Sequence, residues 1–397
     1  MVAVFRTLFI TSDIVYPPAR GAPLRTWQNI NAMMEHGAIG FFSITWFEWE
    51  RITPPGVDLW HYEYILPPVK PPTDLIIDRN ISYYYSYAAG QKLEEIMNQF
   101  QPDLVIFEEI WTYLYLPIVN RYQCRIIFDN HNVEIDLYRQ EMSDNSKLGS
   151  QLEYERRKFI EQDFISQTDQ TWVCSQEDAC ILKEIYGQNQ NIYVVPNSVD
   201  VVSYNCVRFQ QYLSLKELEP KEHNIIFSAT FGYLPNREAA EVLIEQIYPQ
   251  LRKIYPNCRL LLVGQEPTAY MQQVAEQETG IIVTRAVPDV RPYLASASVL
   301  VAPLFKGGGT RLKILEAFAA GCPVISTAKG AEGLKVTDGE HLLIRNTPEE
   351  MVAGVCQLWS EPFLGQRLAE SAYQLVQAEY SWEAVKPKVE RAIRQLF

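Results

Sequence analysis

The residues best suited to binding an anion lie in one short stretch, Gly307-Gly308-Gly309-Thr310-Arg311-Leu312-Lys313, between an apolar run at 299–303 and a helical pattern at 311–320. Consecutive glycines let backbone N–H groups approach a ligand closely, and a helix start adds unpaired donors and a positive dipole end. That combination suits a phosphate. Thr310 can cap the helix, while Arg311 and Lys313 put two cations in a first turn where the dipole disfavours positive charge. A nearby anion would explain them. The spacing is neither the P-loop G-x-x-x-x-G-K-[ST] nor the dinucleotide turn G-x-G-x-x-G. The competing reading is a plain turn, with Arg311 exposed and Lys313 paired to Glu316 at i+3.

A second set of candidates lies in the first half. FDNHN at 128–132 follows the apolar run 125–128, which places Asp129 and His131 near a strand's carboxyl end, with Asp129 either orienting His131 or capping the loop. The loop 16–21 leads into a helix, where Gly21 lets backbone approach a phosphate or an acceptor and Arg25 follows one turn later. A Pro-rich turn at a helix start explains the same residues. Glu108 and Glu109 end another apolar run, as reserve general bases or as solvated rim charges. Tyr83, Tyr84, Tyr85 and Tyr87, with Trp46 and Trp49, suit stacking on a sugar, but their close spacing reads as packing. No D-x-D pair, C-x-x-C pair or His-spaced cysteine cluster occurs, so no metal and no cofactor are expected; seven scattered cysteines suit a reducing compartment.

Short β-branched or apolar runs alternate with helix-length amphipathic stretches in both halves, which predicts parallel sheets wound with helices. Strands are expected at 7–11, 40–45, 62–66, 104–107, 125–128, 170–173 and 192–195, then at 224–229, 259–263, 281–284, 299–303 and 323–326. Helices are expected at 24–36, 82–100, 151–166, 176–186, 237–255, 268–277 and 311–320, with a mostly helical tail from 348. The chain of 397 residues, 47% apolar and 21% charged, is long enough for two globular domains. We expect an N-terminal domain at 1–205, a C-terminal domain at 206–380, and a last helix at 381–397 packing back on the first domain. Such folds bind ligands at the carboxyl ends of their strands, so a cleft between the domains is expected to hold the site.

The net charge of -13 is uneven: 15 basic against 27 acidic residues up to Asp200 give -12, and 20 against 21 after it give -1. A surface this acidic repels nucleic-acid phosphates and anionic lipid as a whole, so anions must be captured locally. No apolar run approaches the ~18 residues of a membrane span, and the opening stretch, with Arg6 inside it, reads as a strand rather than a signal peptide. A cytoplasmic protein is expected.

The segment GGGTRLKILEAFAAGCPVIST, followed by KGAEGL at 329–334 and DGEHLL at 338–343, resembles the donor-site region of GT-B glycosyltransferases, in particular family 4 (glycosyl transferases group 1). YPPARGAPLR at 16–25, FDNHNVE at 128–134, WVCSQED at 172–178, VVPNSVD at 194–200 and FGYLPNREA at 231–239 agree in the family's order. The resemblance implies two Rossmann-like doubly wound domains facing across a cleft. It also implies transfer of a sugar, with retention and without a metal, from a nucleoside diphosphate sugar to a saccharide, lipid-linked or small-molecule hydroxyl acceptor, in the synthesis of a polysaccharide or glycoconjugate. Glu316 would hold the ribose hydroxyls; Gly308, Gly309 and Thr310 would lend N–H groups to sugar and pyrophosphate; Val287 would present backbone to the base; and His131 would contact the donor sugar and the transferring centre. Two positions depart from the family: Gly308 stands where many members carry a sugar-binding Glu, and Gly232 to Arg237 replace an Arg and a Lys that grip the diphosphate. Arg311 and Lys313 are expected to substitute for that pair, with Arg237 beside them and Gly232 near the phosphates. A sugar-nucleotide epimerase and a non-catalytic sugar-nucleotide binder are the alternatives. The acidic first half argues against a basic membrane-docking face.

Overall fold

The computed structural model describes residues 4–18, 21–45, 52–65, 79–142, 148–188, 191–208, 223–309 and 311–397. The chain forms two compact units, one running to Asn197 and joined by Val385–Phe397, the other Ser198–Ala384.

In the first unit, β1 (Thr7–Thr11), β2 (Ile39–Thr45), β3 (Leu59–Tyr64), β4 (Leu104–Glu108), β5 (Arg125–Asn130), β6 (Gln170–Val173) and β7 (Ile192–Val194) form one parallel sheet in the order 3-2-1-4-5-6-7. Parallel neighbours need long crossovers, and helices supply them. Helices covering both faces bury β1, β2 and β4 along their whole length, which is why these strands read as near-continuous apolar runs. Phe164 on the helix Leu148–Ser166 stacks on Phe128 of β5 at 4.1 Å and meets Phe107 of β4 edge-on.

In the second unit, β8 (Asn224–Ser228), β9 (Arg259–Val263), β10 (Ile281–Val283), β11 (Val299–Ala302), β12 (Val324–Ser326) and β13 (Leu343–Ile344) form a second parallel sheet in the order 10-9-8-11-12-13. The strand order reverses between β1 and β4 in one sheet and between β8 and β11 in the other. At such switch points the loops leaving the carboxyl ends diverge and open a crevice. The loops after β4 and β5, and after β8 and β11, carry most of the candidate residues.

Several elements differ from the expected ones for local reasons. The helix expected over 82–100 is interrupted, and Ser86 caps a fresh start at Tyr87–Phe100 by accepting from the Ala89 N–H at 3.0 Å. Val201–Arg208, which straddles the expected boundary at 205/206, is a helix of the second unit, and the units divide at 197/198. Val385–Phe397 packs in the first unit, where Gln170 donates to the Ala392 carbonyl at 2.7 Å and Phe397 stacks on Phe5. The helices Glu134–Met142 and Arg291–Ser296, and the two-residue β13, are additional to the expected set.

One glycine is required by the fold of the second unit. Gly264 leaves β9 at φ +147°, and a Cβ there would lie 1.8 Å from the Ala229 carbonyl oxygen. Gly264→Ala is expected to destabilise this unit by about 1–3 kcal/mol, read as a lower urea midpoint; an unchanged midpoint would contradict it. All seven cysteines are free, and no helix among the described residues is long and apolar enough to cross a membrane.

Candidate functional site

In the first unit the candidates converge on a buried polar cluster at the ends of β4 and β5. The His131 ring meets Glu108 Oε2 through Nε2 at 2.6 Å, with Asp129 Oδ2 at 3.5 Å, and its Nδ1 lies 3.6 Å from Glu109. Glu108 and Asp129 are fully buried. Arg25, on the helix Gly21–Met33, donates to Asp129 through Nε and Nη2, and through Nη1 to the Val195 carbonyl at 2.8 Å and Asn197 Oδ1 at 2.9 Å. Asn29 adds a 2.7 Å bond to Asp129 Oδ2.

The charges follow from this geometry. Although burial opposes it, Arg25 and His131 hold Asp129 down at about 2. Burial and the Asp129 charge push Glu108 up to about 7. Burial disfavours a charged His131, but Glu109 and the hydrogen bonds to Asp129 and Glu108 outweigh it and keep the ring protonated well above the usual imidazole range.

Two expectations are corrected here. Arg25 is not an open substrate ligand, because its guanidinium is enclosed and engaged by Asp129 and two further acceptors. Glu108 is not a solvated rim charge but the buried partner of His131. Asp129 positions both Arg25 and His131. Gly21 opens its helix and is exposed.

Among the described residues, Glu108, Asp129 and His131 bring ligand atoms close enough to surround a metal ion. They fit one poorly. Arg25 and Asn29 bind both Asp129 oxygens, and the His131 Nε2 that would bind a metal faces Glu108.

In the second unit the glycine loop follows β11 and leads into the helix Leu312–Ala320. Gly307 and Gly309 have φ of +109° and +68°, and a Cβ on Gly307 would meet the Arg311 guanidinium. Arg311 itself is the residue before the helix and curls back, Nη1 donating to the Gly308 carbonyl and Nη2 to that of Lys306. It therefore braces the loop rather than standing out as an exposed cation. Thr310 lies outside the described residues.

Lys313 and Glu316 do not pair with each other as the plain-turn reading requires. The Lys313 ammonium donates to Asn236 Oδ1 at 2.8 Å and lies 4.1 Å from the centre of the Phe227 ring. Burial, then the Arg311 charge, push Lys313 well below its ordinary value. Glu316 Oε1 accepts from the Tyr204 hydroxyl at 2.7 Å, and burial pushes this carboxyl up.

Gly232 and Arg237 follow β8. The Glu266 carboxylate packs against Gly232 so closely that a side chain there would displace it. Arg237 donates to the Gly232 carbonyl at 3.3 Å, while its buried Nε finds no hydrogen-bond partner among the described residues. Val287 lies half-buried in the loop after β10, two residues before Asp289. Gly232, Arg237, Gly308, Lys313 and Glu316 thus flank the β8/β11 switch point.

The sequence reading missed Tyr204 and Asn29, and it did not pair Lys313 with Asn236. Each bond joins residues distant in sequence, and no short motif marks them.

Residues 51–202 match the family model Glycosyltransferase Family 4, and residues 222–361 match Glycosyl transferases group 1, so the two in succession take in most of the chain. An uncharacterized 44.6 kDa protein in the cps region of Klebsiella pneumoniae is 21% identical over 170 residues; the match spans 41% of this chain and 44% of that relative's length. Among solved structures, the chain is similar to sucrose-phosphate synthase from Thermosynechococcus elongatus, with a TM-score of 0.75, 15% identity and 99% of each chain covered. It is also similar to HepE of Anabaena in complex with UDP and glucose, at 0.68 and 11% identity over 98% of this chain and 99% of that one. A third is WaaG, a glycosyltransferase involved in lipopolysaccharide biosynthesis, at 0.68 and 14% identity over 97% and 99%.

Proposed function

Since this chain belongs with the group 1, family 4-like glycosyltransferases of GT-B fold, we propose that it transfers a sugar from a nucleoside diphosphate donor to a hydroxyl acceptor. The observation that carries the reading is the arrangement after β11, where a glycine loop braced by Arg311 leads into a helix that presents Lys313 and Glu316.

In this reading Glu316 accepts the ribose hydroxyls, each charge-assisted bond contributing about 1.5–3 kcal/mol. Val287 lends backbone to the base. Backbone N–H groups around Gly308, Gly309 and Thr310, with Lys313 and Arg237, stabilise the negative charge that grows on the leaving diphosphate. Gly232 keeps the backbone beside them open. Gly21 serves the acceptor or a phosphate, and His131 is the catalytic group of the first unit. Arg25 acts by holding Asp129 and so His131, and Arg311 by shaping the glycine loop.

The cationic side chains make the proposed reaction independent of a metal. Retention is part of the proposal, since Glu108, the reserve base for an inverting route, is engaged by His131 and fully buried. A donor phosphate oxygen then takes the acceptor proton. The cps-region relative and WaaG support a place in polysaccharide or glycoconjugate synthesis, for which the cytoplasm is the proposed location, and a HepE complex with UDP-glucose makes that sugar nucleotide the first donor to try.

The test is a thermal-shift screen against UDP-, GDP-, ADP- and dTDP-sugars. A ligand at 100 times its dissociation constant adds about 2.7 kcal/mol, and Glu316→Ala is expected to abolish the shift. No shift with any of the four, or an undiminished shift in the variant, would refute the reading. The anomeric proton signal of the product then separates retention from inversion.

A further inference from the structure

Tyr204 lies on the helix Val201–Arg208, in a stretch whose sequence carries no motif for a ligand. Its hydroxyl donates to Glu316 Oε1 at 2.7 Å, and its ring is buried. A carboxylate turns easily about its last bond, so one oxygen held by a fixed donor also fixes the direction of the other. The phenol is itself fixed, because its helix is tied down at the neighbouring residue: Arg291 Nη1 donates to the Ser203 carbonyl at 2.9 Å. The same guanidinium reaches Asp289 through Nε, at 2.8 and 3.0 Å from its two oxygens, and Asp289 Oδ1 accepts from the Arg291 N–H at 2.9 Å. One chain of contacts therefore runs from the loop holding Val287 and Asp289, through Arg291 and Ser203, to Tyr204 and Glu316. All of it lies within the second unit.

We propose that Tyr204 is a positioning residue for nucleotide recognition: it holds Glu316 by one oxygen so that the other meets a ribose hydroxyl, and through Arg291 it registers that carboxylate with the base-side loop 287–289. The proposal rests on the reading of Glu316 as the ribose carboxylate. It makes Tyr204 a determinant of ribose against 2′-deoxyribose, a choice that the pyrophosphate-binding residues have no means to make.

The test uses the full chain and calorimetric titration with UDP, GDP and ADP. The diphosphate that binds is then compared with its 2′-deoxy analogue and with inorganic pyrophosphate. Tyr204→Phe keeps the ring and removes the hydroxyl. It is expected to weaken the ribonucleotide about 3- to 10-fold, the loss of one hydrogen bond's worth of order, and to narrow the preference for ribose over deoxyribose. Pyrophosphate affinity should not change. A variant with the wild-type preference overturns the proposal, and so does one that weakens pyrophosphate as much as the nucleotide, since that pattern marks a merely structural role. Glu316→Ala distinguishes the two levels. If it removes the ribose preference while Tyr204→Phe leaves it intact, only the positioning role fails; if it too leaves the preference intact, the ribose reading fails with it.

Discussion

Replacing Asp129 by alanine is expected to destabilise the first unit by about 3–5 kcal/mol, the usual cost of stranding one partner of a buried ion pair. Arg25 and Asp129 are both fully enclosed, and the guanidinium's partners Asp129, Val195 and Asn197 all lie inside the unit. Removing the carboxylate leaves Arg25 charged with neutral hydrogen-bond acceptors, the Val195 carbonyl and Asn197 Oδ1. A guanidinium keeps its proton even when buried, so the residue cannot escape by losing it. His131 and Asn29 lose a partner in the same step. The measurement is urea unfolding followed by a probe in the first unit, since two units need not melt together. A loss below about 1 kcal/mol would show that the pair is not what holds this end of the sheet. Removing both charges with Arg25→Met and Asp129→Leu should cost less than Asp129→Ala alone, because neither member of the pair is then left buried without the other. The pH dependence has a definite sign. Asp129 is held at about 2, below its ordinary 3.8, so its contribution is fully present above pH 3.8 and is lost as the pH falls towards 2.

The sequence made the sheets legible and the polar interior much less so, and the reason is the range of the interactions. β1, β6 and β9 are found at the expected residues because a strand covered on both faces reads as a short, mainly apolar or β-branched run, a local property of four or five consecutive positions. The glycine loop was readable for a similar reason: close backbone approach needs glycine at that spot whatever surrounds it. Arg25 was noticed as a cation near a loop, but its buried partner is 104 residues away, and no periodicity reports such a pairing. Glu108 shows the same limit. It ends an apolar strand as a rim charge would, yet the hydrogen bond to His131 draws it inside. Tyr204 was missed because an eight-residue helix has little periodicity of its own and depends on tertiary packing.

Lys313→Met is expected to lower turnover by about 10²–10³ while leaving the protein at least as stable as the original, and those two effects have one cause. The Lys313 amine sits over the Phe227 ring with Asn236 as its hydrogen-bond acceptor, and burial and Arg311 depress its affinity for a proton. A folded-state value below the ordinary 10.5 means that the unfolded chain binds the proton more readily. The resulting penalty on the folded state is absent above pH 10.5, grows as the pH falls, and is complete below the depressed value. Methionine packs on Phe227 without that penalty, so stability at neutral pH should hold or rise. A diphosphate reverses the balance, because a dianionic group beside the amine favours its charged form. At a pH between the Lys313 value in the free protein and that in the complex, donor binding should therefore draw a proton from solution onto Lys313. Affinity should then weaken as the pH rises from the value of the free protein towards that of the complex. In its ammonium form Lys313 is the donor that stabilises the leaving diphosphate, and removing one such group commonly costs two to three powers of ten in rate. Calorimetric titration with the nucleoside diphosphate in two buffers of different ionisation enthalpy measures the uptake directly. Equal binding enthalpies in both buffers would mean that Lys313 already carries its charge, and an undiminished turnover in Lys313→Met would remove it from the diphosphate site altogether.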